Sequence, residues 1–151
     1  MKTETQFKSG RQFIARLLPG EDLIKTLKEF CVKNQIKAGY IPMMLGALES
    51  AELSHVGLNS KTDKFVKKYE GPLEYTAQGT IALKNNEPDF HIHMVVGGDN
   101  HKLAATGHFL SGKITLLTEV VIIEIVDIEM VKEFDTDIFS NPLLFFKEKE
   151  N

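Results

Sequence analysis

The sequence predicts a single α+β domain (α/β in the broad sense), with one main helix packed on a largely antiparallel set of strands. Three observations lead there. One amphipathic helical stretch stands among many runs of β-branched and aromatic residues. Turn chemistry separates those runs: Pro19-Gly20, Gly71-Pro72, Asn85-Asn86, Gly97-Gly98-Asp99-Asn100 and Ser111-Gly112. The chain has 151 residues, 42% hydrophobic and 26% charged, with no internal repeat, linker or low-complexity tract, so it suits one domain with a substantial core.

Residues 12–18 (Gln-Phe-Ile-Ala-Arg-Leu-Leu) read as a first strand ended by Pro19-Gly20, with Arg16 on its solvent face. Glu21 and Asp22 then fall in the first turn of a helix, where acidic groups complement the dipole. Leu23, Ile24, Leu27, Phe30 and Cys31 make one buried stripe, and Lys25, Lys28, Glu29 and Lys33 cover the other side. Gly39 is the predicted helix stop. Residues 40–48 are an apolar strand in which Gly46 marks a bend or a close backbone approach, and 49–58 continue extended with His55 at the surface. A short strand at 64–69 and a longer one at 73–83, with a bulge at Gly79, precede a turn at 85–88. Residues 114–126 are the most β-prone of all, and their near-continuous hydrophobicity predicts burial on both faces. An acidic, irregular tail runs through Asp135 and Asp137. Asn141-Pro142 then introduces 143–146 (Leu-Leu-Phe-Phe), an edge strand or a segment packed on a neighbour.

Residues 90–108 carry the chemistry. His91 and His93 are two apart on a strand and share a face. With Asp99-Asn100 as a two-residue turn, His108 lies directly opposite His91 and Thr106 opposite His93, so three imidazoles converge. Imidazole is a common ligand of zinc, copper, nickel and iron, and three protein ligands with one open position is the pattern of catalytic zinc sites. A His-x-His pair alone more often decorates a half-exposed strand; the third histidine tips the balance to a divalent metal, zinc above others. A one-residue bulge would undo it. A two-residue turn at Ser111-Gly112 would put Thr115 opposite His108 and Glu119 on the same face, making Glu119 the candidate second ligand-shell or general-base carboxylate.

Composition narrows the partners. The net charge of −3 and the absence of a basic block argue against tight binding to nucleic acid. Lys61, Lys64, Lys67 and Lys68 form the most basic stretch and read as a solvated loop and strand edge. The single cysteine, Cys31, makes no intrachain disulfide and fits a buried thiol in a reducing compartment. The polar N-terminus does not read as a secretory signal, and the longest apolar run, 120–126, is too short to span a bilayer, so a cytoplasmic location is expected.

Several fragments together resemble the PPC domain of plants and prokaryotes. They are Arg-Leu-Leu-Pro-Gly-Glu-Asp-Leu (16–23), Leu-Gly-Ala-Leu (45–48), Glu-Gly-Pro-Leu-Glu-Tyr-Thr-Ala-Gln-Gly-Thr-Ile (70–81), His-Ile-His (91–93), Gly-His-Phe-Leu-Ser-Gly-Lys-Ile (107–114) and Thr-Glu-Val-Val-Ile (118–122). The resemblance implies a strongly curved, mostly antiparallel sheet with a helix packed against it. It also implies a homotrimer and a metal site at His91, His93 and His108, as in prokaryotic members. It covers about 7–130, leaving 131–151 as a tail. Prokaryotic members are often called predicted DNA-binding proteins, but this chain has no Arg-Gly-Arg-Pro AT-hook and no basic tail. The expected role is a metal-binding homotrimer, with metal-assisted small-molecule chemistry open to it and a DNA-binding regulator as the alternative.

Overall fold

In the computed structural model, residues 4–56, 64–98, 100, 102–135 and 139–148 are described. The element order is β1 (Ser9–Leu17), α1 (Leu23–Asn34), β2 (Gly39–Val56), β3 (Lys64–Lys84), β4 (Glu87–Gly98), β5 (Leu103–Ile125), β6 (Ile128–Asp135) and β7 (Phe139–Glu148). Among the described residues all seven strands belong to one sheet, antiparallel except for a parallel bridge of β6 to β3 at Leu83–Val131.

The sheet curls until it closes. β2 pairs with both β3 and β5, and β4 pairs with the same two strands, so β2–β3–β4–β5 form a circuit. Long strands coil because each carries a right-handed twist, and register shifts between Ile41 and Met44 and between Leu48 and Ser50 add local bends. Alternate residues then point inward: Phe90, Ile92, Met94 and Val96 of β4 meet Leu48, Leu53, Ile81, Phe109 and Ile122 in the core. Leu23, Leu27 and Cys31 of α1 complete it, each fully buried. Burial pushes the Cys31 thiol up to about 12, so it is an inert core group.

Asp22 is the N-cap of α1, its carboxylate accepting from Lys25 N at 2.9 Å. The helix ends at Asn34, short of the expected stop at Gly39. Gln35 takes the left-handed conformation (φ 56°) and its N–H closes on Cys31 O and Val32 O. Gly39 instead opens β2, where a Cβ would stand 2.7 Å from Ile123 O.

Four further expectations change. Residues 64–84 are one strand rather than two, and Gly79 is no bulge: its partners run in register along β4, while the extra residue sits opposite it in β2. A Cβ at Gly79 would stand 2.5 Å from His91 O, so close approach explains the glycine. Ser111-Gly112 does not turn; β5 runs straight through it, because Gly112 is pressed against β2, where a Cβ would meet Ser50 O at 2.8 Å. Among the described residues the tail is not irregular, and Asp137 lies outside them. β6 and β7 form an antiparallel hairpin that includes 143–146, and the alternate burial of Ile128 and Met130 is the strand signal that the acidic residues obscured. Asn85-Asn86 turns the chain as expected, both residues with positive φ, between the paired Lys84 and Glu87.

The outer face of β1, β5 and β2 is left bare. Thr118, Val120 and Ile122 point inward, but Val121 is half-buried, its partner Ile14 is 79% exposed, and Leu45 and Leu117 are exposed nearby. Burial of 114–126 on both faces is therefore not achieved within one chain.

Candidate metal centre

β4 puts odd-numbered side chains on the outer face, so Asp89, His91 and His93 point away from the core while Phe90, Ile92 and Met94 enter it. The β4–β5 ladder ends at Gly98–Leu103, leaving 99–102 as the connection. Asp99 and His101 lie outside the described residues; Asn100 has φ 51°. The longer connection moves the register by two, so His93, not His91, is the partner of His108, and Val95 rather than His93 faces Thr106. A shift of two preserves the side-chain faces, and the three histidines still meet.

Their rings are packed together. Centroids lie 5.1 Å apart for His91–His93, 5.0 Å for His91–His108 and 5.7 Å for His93–His108. One ring nitrogen from each falls within 4.8 Å of the others. His91 and His93 are exposed and His108 half-buried, so the cluster opens outward. Burial, followed by His93 and Lys132, holds the His91 imidazole below its ordinary value, with Asp89 opposing. This environment favours the neutral imidazole, which is the form that coordinates a metal. The donor set fits a divalent ion: three ring nitrogens that converge, two of them from exposed side chains.

Beside the histidines lies an open cavity of about 460 Å³, lined by Tyr40, Ile41, Pro42, Gln78, Gly79, Thr80, His91 and His93. Gln78 is the cross-strand partner of His93, and Thr80 of His91. Neither stood out in the sequence, although each occupies the face that His-x-His marks once the β3–β4 register is known. Lys132 and its partner Asp89 were also missed, because β6 comes from a segment with no local signal of its destination.

Glu119 lies elsewhere. It is exposed on β5, opposite Arg16 of β1 and Leu45 of β2, eleven residues beyond His108 on a strand that never turns back. The hairpin that would have carried it to the histidines is absent. Arg16 and His55 are exposed, as expected.

The sequence matches the model of the Plants and Prokaryotes Conserved (PCC) domain over residues 4–126. A comparison with curated proteins gives no significant match. Among solved structures, the metal-containing protein AF0104 from Archaeoglobus fulgidus is similar, with 27% identity and a TM-score of 0.85 over 96% of this chain and 99% of that one. A plant- and prokaryote-conserved (PPC) protein from Pyrococcus horikoshii has 22% identity and a TM-score of 0.82, covering 94% and 97%. A hypothetical protein from Salmonella has 21% identity and a TM-score of 0.79, covering 97% and 99%. A curled antiparallel sheet carrying one helix, matched by the family model from residue 4 to residue 126, places this chain in the Plants and Prokaryotes Conserved domain family.

Proposed function

We propose that the protein is a homotrimer whose chains each hold one divalent metal ion, zinc by preference, at His91, His93 and His108, and that a small molecule meets the ion there. The observation that carries the reading is the convergence of three ring nitrogens within 4.8 Å on an open face. The metal-containing name of the 27%-identical archaeal protein supports it. The adjoining cavity supplies room for a ligand of a few heavy atoms. A metal in such a site would supply Lewis acidity, or a bound water acidic enough to ionise near neutrality. Gln78 and Thr80 would offer hydrogen bonds to what binds beside it. Glu119 keeps a catalytic part only if assembly brings it to the histidines of another chain.

Trimer formation is supported by the bare apolar face of β1, β5 and β2, a surface that a soluble monomer would leave wet. The formal charge and lone buried cysteine fit a cytoplasmic protein, and no described helix is long and apolar enough to cross a membrane. DNA binding is the second reading, prompted by a similar structure from Bacteroides thetaiotaomicron named for suspected DNA binding. At 20% identity that likeness carries the fold alone, and three chains would present a formal charge of 3 × −3 = −9 to the phosphates.

Metal content of protein purified without an affinity tag tests the proposal. Wild type should carry about one ion per chain and His93→Ala none. Equal content in the two proteins would place the ion elsewhere.

A further inference from the structure

β6 and β7 lie beyond residue 126, where the family match ends, yet they reach the histidine site. Ile128 and Met130 pack with Ala38 and Ala82, and Tyr40, Leu144 and Phe146 close around them. Tyr40 in turn lines the cavity beside His91 and His93, so the hairpin buttresses one wall of it. From β6, Lys132 extends across to Asp89 of β4, with Nζ 2.7 Å from Oδ2. The Lys132 side chain is only 10% exposed, against 41% for Asp89. Asp89 precedes His91 by two residues and shares its face. A nearly buried ammonium, held by the carboxylate that precedes His91 on the same strand face, therefore lies on the histidine side of the sheet.

We propose that the Asp89–Lys132 pair, assembled by the C-terminal hairpin, sets the metal affinity of the histidine site through two opposed charges. This rests on the metal reading above. A doubly positive ion at the imidazoles is repelled by the ammonium and attracted by the carboxylate. Burial of Lys132 keeps water and salt from screening either effect fully. With both groups present the two contributions largely offset. Neither residue is a ligand; both are positioning residues that act on the site through their charge.

Opposite signs are the signature. Lys132→Met leaves Asp89 unopposed and should tighten binding, whereas Asp89→Asn leaves a buried cation facing the ion and should weaken it. A pair that merely held the hairpin in place would give losses in both. The probe is zinc alone, its dissociation constant read by competition with a chelator for wild type, both single variants and the double variant. The expected results are about tenfold tighter for Lys132→Met, about tenfold weaker for Asp89→Asn, and near wild type for the double variant, all shrinking as salt rises. Asp89→Glu, which keeps the charge, should restore wild-type affinity. Wild-type binding with Lys132→Met unchanged or weaker overturns this inference alone, and that variant decides even if Asp89→Asn does not fold. Wild type that binds no zinc removes the metal reading and this inference with it.

Discussion

At the scale of single residues, the histidines combine functional readiness with structural independence. His91 and His93 are exposed on a strand whose other face holds Phe90, Ile92 and Met94 in the core. His93→Ala should therefore change unfolding free energy by no more than about 0.5 kcal/mol while removing the metal, measured by denaturant titration of the metal-free proteins. The pH behaviour follows from His91. Its folded-state value is lowered below 6.5, chiefly by burial, so the unfolded chain takes up its proton first on acidification. That contribution to stability is present above 6.5 and lost as pH falls through the range below it. Metal affinity should fall over the same range, because protons and the ion compete for the same nitrogens. Titrating zinc release from pH 8 to 5 checks this; a flat profile would point to ligands other than imidazole.

At the scale of elements, the sheet is held by places where two backbones come too close for a side chain. Gly46 sits between Tyr75 of β3 and Thr118 of β5, whose hydroxyls hydrogen-bond at 2.6 Å within the core. A Cβ at Gly46 would stand 2.2 Å from Leu117 O and 2.9 Å from Thr118 Oγ1. Gly46→Ala should therefore cost about 2–4 kcal/mol, read from the urea midpoint, by separating β2 from β5 and disturbing a buried hydrogen bond. The close approach at Gly46 was legible in the sequence because a glycine inside an apolar strand has few other uses. So were the helix stripe, the Asn85-Asn86 turn and the shared face of His91 and His93, all fixed by local periodicity or turn chemistry. What escaped depended on partners distant in sequence. Ser111-Gly112 has the composition of a turn, yet the glycine answers to β2. The His93–His108 pairing turned on the length of a loop, which composition does not state. The destination of Lys132 is set by how β6 lies over β3.

At the scale of the whole molecule, two surfaces stand out. One is the bare face on which Ile14, Val121, Leu45 and Leu117 surround Arg16 and Glu119, apolar surface that assembly would cover. Sedimentation equilibrium should give a mass near three chains of 17.0 kDa, and Ile14→Asp should shift it toward one. A 17.0 kDa wild-type species at micromolar concentration would contradict the trimer. Duplex DNA should remain unshifted at nanomolar protein in about 150 mM salt, where specific binders act. The other surface is the histidine cluster. In crystals of the zinc-loaded protein, diffraction data collected at the zinc absorption edge should show one anomalous peak per chain, about 2.0–2.1 Å from a ring nitrogen of each of His91, His93 and His108. A peak bound elsewhere, or none at that cluster, would contradict the metal reading.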